Sequence, residues 1–406
     1  MLLLASAIPA QAQFDGFEPG GSSSSSSWLA NGSNNYSFSP AVTGFDSTLL
    51  YIRNTGQVGI GNVSPDSMFT SGSPTNKGGI HVFGGGLFHG NLTYKQLLGG
   101  ISPIATGYLA SVMGGTNNAA TGDSSWVGGG GYNQATGLSS VVGGGTGNVA
   151  AADHSVIPGG LSNVIPPGSP GRAVIAGGSG NSMSGNSVTS SVISGGSGNT
   201  LITGSTYGVI GGGSVNKIDW SASSVISGGA GNVIGDLGAG IQASAASIPG
   251  GTLAKVRHYG GFAHASGSFT TTAGTAQVVE LIARDTTSLA ENDTLYLDGT
   301  ELPLTGLGLQ AVIDTGTVWK FTVDVAARTK DGRGAGYHFR GTIKNITGTV
   351  SFIGTPVKDT PDEDAAGWDC NVAANDTHNA LSIIVTGEDG AIIRWVATIR
   401  LTQVRW

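Results

Sequence analysis

The stretch Ser191-Val-Ile-Ser-Gly-Gly-Ser-Gly-Asn199 decides how this chain is read, because it is one copy of a phrase that returns along the middle of the sequence. It reappears as SVMGGTNN from Ser111, SVIPGGLSN from Ser155 and SVISGGAGN from Ser224. With the second glycine of each pair as marker, Gly85, Gly100, Gly115, Gly130, Gly145 and Gly160 fall 15 residues apart. Gly178, Gly196, Gly213 and Gly229 follow at looser spacing, with Gly261 as the final marker. A unit this short cannot bury an apolar face alone and must stack on its neighbours.

Within the phrase, a strand sends Val192 and Ile193 to opposite faces, and Val225 and Ile226 likewise. One residue of each pair then enters the coil's own core, and the other faces a second surface, naturally another chain. The glycine pair makes a corner with positive φ, and the asparagine that follows is placed to bond turn backbone or to stack as a polar ladder. That asparagine is read as Asn117, Asn133, Asn148, Asn163, Asn181, Asn199, Asn216 and Asn232. Each unit is expected to be one coil of a β-helix or β-prism. Three departures stand out: Pro166, Pro167 and Pro170, a charged and aromatic bulge from Lys217 to Trp220, and extra small residues from Gly235 to Pro249. Trp220 reads as a local cap over the surface, with a contact role as the alternative.

Composition agrees with a repeat architecture. Glycine supplies 71 of 406 residues without a strict every-third period, and proline only 14, which excludes collagen. Charged residues are 11 % of the chain, too few for ordinary disorder. The net charge of -7 gives no support for a nucleic-acid or anionic-membrane surface. With one cysteine, Cys370, no intrachain disulfide forms. The opening MLLLASAIPAQAQ lacks a basic residue before its apolar run and is too short to span a bilayer, so it reads as a docking segment rather than a cleaved leader. The serine tract Ser22 to Ser27 is a connector.

Residues 51–60 read as a strand, a turn at Asn54 to Gly56, and a second strand from Val58 to Ile60. The phrase Gly56-Gln-Val-Gly-Ile-Gly-Asn-Val-Ser-Pro65 resembles an element of trimeric bacteriophage tail fibres, with Asn62 where those fibres usually carry threonine. The repeat block resembles the Gly, Asn and Ser-rich shafts of such fibres and, more loosely, the heads of trimeric bacterial adhesins. The resemblance implies a homotrimer, in which three columns close a core and hide strand edges.

From Ala265 the regime changes: eight Asp, Glu, Lys or Arg residues lie in 99–264, against 28 in 265–406. Trp319, Phe321, Val323 and Val325 alternate with polar residues, as do Ile393, Trp395, Ala397, Ile399 and Leu401. Further strands are expected over 276–284, 294–298, 308–313, 336–346, 349–353 and 380–385, giving an antiparallel β-sandwich. The whole is an all-β chain in four parts: an attachment segment at 1–27, a small β region at 28–83, a repeat shaft at 84–264 and a β-sandwich head at 265–406.

The head carries the candidate receptor-binding residues. Asp359, Asp362, Glu363, Asp364, Trp368 and Asp369 gather in one loop with His378 beyond it, an arrangement that suits sugar hydroxyls and ring stacking. Asp331, Arg333, Tyr337, His338 and Arg340 form a second cluster. Gly115, Gly130, Gly145, Gly160, Gly178, Gly196, Gly213, Gly229, Val192, Ile193, Val225 and Ile226 are assigned to shaft turns and core. No metal or cofactor is expected. Asp123, Asp153, Asp219 and Asp236 read as single scattered acids, and no nucleophile or phosphate-loop motif is present, so the chain is expected not to be an enzyme. The resemblance implies a virion fibre on tail or capsid, assembled in the host cytoplasm. Its N-terminus would meet virion proteins, and its head a bacterial surface glycan or protein, without nucleic acid or membrane insertion. Alternatives are a trimeric bacterial adhesin, a capsid-attached fibre or a polysaccharide-degrading tailspike.

Overall fold

The structure is a computed structural model and describes the strands at 27–30, 36–39, 50–52, 58–60, 69–71 and 96–98, and residues 100–406 apart from 169–170, 186 and 300–308. The marker Gly85 and the serine tract up to Ser26 lie outside the described residues. The chain divides into a unit at Met1–Leu92 and a unit at Thr93–Trp406. In the first, five short strands form one sheet, antiparallel except for its last pair. Leu50–Ile52 and Val58–Ile60 are the antiparallel pair read from the sequence.

The second unit begins as a β-solenoid. Each coil contributes one strand of two or three residues to each of two parallel rows: Trp126–Val127, Val141–Val142 and Val156–Ile157 stack in one, and Gln134–Ala135, Val149–Ala150 and Val164–Ile165 in the other. A third line of single-residue bridges joins Thr116, Gly131, Thr146 and Leu161. Alternation along each strand does what the sequence requires: Ile193 and Ile226 are fully buried, whereas Val192 is half-buried and Val225 is 36 % exposed. The core also thickens along the column. Early coils pair Val127 with Ala135, later ones Ile210 with Ile218, all at 0 % exposure.

The glycine pair is asymmetric for a steric reason. At Gly144 an added Cβ meets nothing within 4 Å, but at Gly145, with φ +82, it would lie 2.1 Å from the Gly160 carbonyl oxygen of the next coil. Gly115, Gly130, Gly160, Gly178, Gly196, Gly213 and Gly229 repeat this geometry. The next member is Gly251, whose added Cβ would lie 2.2 Å from the Ala265 oxygen, and not Gly261, because the Leu237–Ala239 3-10 turn lengthens that coil to 22 residues.

The asparagine ladder begins at Asn118, not Asn117. Asn118 is buried, while Asn117 sits one residue earlier at φ 53 on the corner. Asn148 shows the rule. Its Nδ2 donates to the Gly144 and Gly160 carbonyls at 3.0 and 2.9 Å, and its Oδ1 accepts from the backbone N–H of Asn163 at 3.0 Å. Buried amides in such a ladder leave no lone donor or acceptor, which is what makes them tolerable in the core.

Lys217 to Trp220 is not a bulge: Lys217–Ile218 is a regular rung between Thr200–Leu201 and Val233–Ile234. Trp220 then folds over Gly204 of the preceding coil, where a Cβ would meet its ring at 2.4 Å.

The shaft does not stop at a linker. Phe262–Ser266 pairs in parallel with the last coils and antiparallel with Ala276–Thr287, so the solenoid sheet continues into the sheet of the head. Ala276–Thr287, Ile393–Arg405, Thr317–Thr329 and Gly334–Asn345 follow in that order, all antiparallel. Asn292–Thr294, Ala380–Thr386, Ala311–Val312 and Asp369–Asn375 form a second antiparallel sheet. Trp319, Phe321, Trp395 and Ile399 belong to the continuous buried core with Leu381 and Val385 of this second sheet. The two indoles have their N–H groups satisfied, Trp319 by Gln403 and Trp395 by Thr287, each at 2.9 Å.

Candidate functional site

Three places in the Thr93–Trp406 unit gather chemistry-bearing side chains. The first is the acidic loop. Glu363 accepts from the buried Tyr337 hydroxyl at 2.9 Å, Asp364 accepts from the Gly334 backbone N–H at 2.8 Å, and Asp359 lies 3.5 Å from Arg340. Asp369 is held by Lys358 and by Asn371 Nδ2. Burial pushes its carboxyl up, but these hydrogen bonds and the lysine charge outweigh that and hold it below its usual range. Asp362 is exposed at the sheet edge.

Trp368 is a core residue, 3 % exposed. Its indole N–H donates to Glu388 at 3.0 Å, its ring lies 6.0 Å from that of Trp395, and Arg333 sits over it at 5.5 Å. A ring so placed offers no face to a sugar, which corrects the stacking role expected of it. Glu388, bonded first by Trp368 and then by Arg333, titrates below its usual range. His378 is exposed in the turn after Asp369–Asn375, a strand's length of about 20 Å from Asp369. The structure strings Asp359, Asp362, Glu363 and Asp364 along the edge of Gly334–Asn345, with Asp359 at His338 and Asp364 at Gly334, and leaves His378 apart. Among the described residues no three His, Cys, Asp or Glu side chains converge as a metal site. Cys370 is buried, and burial pushes its thiol up to about 12, so it is a poor nucleophile.

The second place is the joint between shaft and head. Asp314 receives Arg257 at 2.7 Å and Arg405 at 3.1 Å, and beside them His258 is 7 % exposed. The imidazole Nε2 is 2.9 Å from the Val312 carbonyl, and the ring packs edge-on against Trp319 at 5.9 Å. Burial holds this imidazole below its usual value of 6.5, partly offset by the Val312 bond and Asp314. The unfolded chain therefore binds the proton first as pH falls through 6.5, and stability declines from there down to the lower folded value. The unfolding midpoint is expected to drop between pH 7.5 and pH 5.5, and His258→Gln is expected to flatten that dependence. An equal pH dependence in both proteins would refute the assignment.

The third place is a corner of the shaft. The Asp123 carboxylate accepts from the Tyr108 backbone N–H at 2.7 Å, and Asp153 accepts from Leu138 at 2.9 Å, each reaching back 15 residues. The same positions of successive coils thus read Tyr108, Asp123, Leu138 and Asp153, all exposed. Two strand spacings of about 4.8 Å place the two acids about 9.6 Å apart at the backbone. Sequence reading treated them as unrelated. The signal was their 30-residue separation, two periods of 15.

No protein-family model matches the chain, and no curated protein resembles it significantly. Among solved structures it is similar to the gp49 tailspike of Acinetobacter baumannii bacteriophage Fri1, a capsular polysaccharide depolymerase, at 8 % identity and a TM-score of 0.19. That likeness covers 72 % of this chain and 56 % of the tailspike, so the chain spans little more than half of that protein's length. It is also similar to the tailspike of Acinetobacter phage vB_ApiP_P1, at 8 % identity and a TM-score of 0.17, over 77 % of this chain and 81 % of that one. At such scores the likeness carries neither activity nor assembly across. The expectation of a non-enzyme does not stand: a depolymerase is among these similar proteins, and two of the four acids read as scattered, Asp123 and Asp153, share one corner.

Proposed function

We propose that the chain is a bacteriophage fibre or tailspike subunit, homotrimeric, that projects from the virion and engages polysaccharide on the bacterial surface. The observation that carries this reading is the continuity of the sheet through Phe262–Ser266. A low-charge column of stacked coils ends in a head held by backbone hydrogen bonds, which is a means of holding a contact surface at a distance. Self-association is supported by the row Val141, Val156, Val174, Val192, Val209 and Val225, whose side chains line the outside of the column in register. Three linked heads gain avidity from weak individual contacts. Attachment to tail or capsid is assigned to the N-terminal segment, on the resemblance of residues 56–65.

A second reading, hydrolysis of that polysaccharide, is favoured by the Asp123 and Asp153 corner. Inverting glycosidases place an acid and a base about 6.5–9.5 Å apart, and here exposed Leu138 lies in the coil between the two acids with Tyr108 beyond Asp123. The test is an array of bacterial surface polysaccharides probed with the purified chain, followed by assay for new reducing ends. The recognition reading expects selective binding to one or a few polysaccharides, and no binding would contradict it. Hydrolysis expects reducing ends that vanish in Asp123→Asn and Asp153→Asn while binding persists. Binding without release, or release unaffected by both variants, would remove it.

A further inference from the structure

The outer face of the long head sheet is basic, although the chain as a whole carries 18 basic and 25 acidic residues. Arg284, Lys320, Arg328, Arg340, Lys344, Arg394 and Arg400 project from its four long strands, against Glu280 and Asp324, with Asp359, Asp362 and Asp364 along the edge beside Gly334–Asn345. Glu280 pairs with Arg400 at 2.9 Å and Arg340 with Asp359 at 3.5 Å, and the Asp324 carboxylate lies 2.7 Å from His338 Nδ1. Arg284 donates to the Asp298 carbonyl at 2.8 Å.

Arg328 and Arg394 differ. They are directly opposite one another on neighbouring antiparallel strands, both are exposed, and among the described residues neither forms an ion pair. Like charges in that position, with Cβ atoms about 5 Å apart, destabilise a sheet. The nearest acid along that row is Asp364, across Gly334, about 10 Å from Arg328 at the backbone and already bonded to the Gly334 N–H. The pair also lies six residues along the strands, about 20 Å, from the Phe262 to Glu280 row that continues the valine ladder.

We infer that Arg328 and Arg394 form a seat for the carboxylate groups of an acidic surface polysaccharide, a proposal that rests on the polysaccharide-recognition reading above. Two guanidinium forks match planar carboxylates through paired N–H donors. Thr286 beside Arg394, with Thr398 and Thr322 further along the face, supplies hydroxyls that suit the rest of a sugar chain. Binding would relieve the repulsion, so the face is stabilised by the ligand it awaits.

The test compares binding of the full chain to alginate, a polyuronate, and to neutral dextran, in low and high salt. The wild-type chain is expected to bind alginate at least about tenfold more tightly than dextran, with a strong decline on raising salt. Combined Arg328→Ala and Arg394→Ala is expected to lose about tenfold or more of that affinity while its unfolding midpoint stays level or rises, since a repulsion is removed. Lys344→Ala, a cation outside the pair, is expected to change affinity less than about twofold. Equal binding of alginate and dextran, or full affinity in the double variant, would overturn the inference. Polyphosphate or DNA bound as tightly as alginate would overturn the polysaccharide assignment in favour of a general polyanion face. Selective binding of neutral polysaccharides alone would reject this seat and leave the recognition reading standing, whereas no polysaccharide binding would reject both.

Discussion

Gly145→Ala is expected to destabilise the solenoid by about 4 kcal/mol, whereas Gly144→Ala, one residue earlier, stays within about 1 kcal/mol. The difference follows from what each Cβ meets. At Gly145 it lies 2.1 Å from the Gly160 oxygen and 2.8 Å from both Gly160 N and Asn148 Nδ2, on a backbone with φ +82. Left-handed backbone costs a non-glycine residue roughly 1–2 kcal/mol. The contact must be relieved by parting two coils, which weakens the bonds that Thr146 N–H and Asn148 Nδ2 make to the Gly160 oxygen at 3.0 and 2.9 Å. Each is worth about 1 kcal/mol. Thermal and urea unfolding of the two variants read the contrast, and similar losses at both positions would contradict the stacking.

Asn163→Ala is expected to cost a comparable amount, about 4 kcal/mol, because buried polar groups on three coils lose partners together. Asn163 Nδ2 donates to Gly159, Gly178 and Asn148 oxygens at 3.3, 3.1 and 3.1 Å. Its Oδ1 accepts from the Asn181 backbone N–H at 3.1 Å. Alanine makes none of these bonds, and the groups that lose them are buried. Asn117→Ala, outside the ladder on its corner, is expected to lose about 1 kcal/mol at most. Hydrogen exchange of the amides in neighbouring coils checks that the damage is local, as nearest-neighbour stacking requires.

How much of this was legible in the residues depended on whether the cause was local. Repeat phrase and strand alternation are written in the residues of the coils themselves, so Val192 and Ile193, and the pair Gly144 and Gly145, announce themselves. Which of Asn117 and Asn118 enters the ladder is decided by the neighbouring coil, whose Gly130 oxygen receives Asn118 Nδ2 at 3.0 Å. The same reason explains Gly251: the turn at Leu237–Ala239 adds length that a count from Gly229 does not anticipate. In the head, alternation gave the buried faces of Thr317–Thr329 and Ile393–Arg405, but not which strands are neighbours.

The sites were harder for that reason. Trp368 looked like a contact residue because it is flanked by acids, yet Trp395 and Glu388, far along the chain, take it into the core. Asp123 and Asp153 become a pair only when coils stack, and Arg328 meets Arg394 only when two strands far apart in sequence lie side by side. Charge type is written in the sequence, but charge proximity belongs to the fold.

The most direct test of the virion-fibre account is electron cryomicroscopy of particles from the genome that encodes this chain, labelled with antibody against residues 265–406. The account predicts label on projections at a distance from the particle surface, in clusters of three heads. Particles without label, or label confined to the capsid shell, would contradict it.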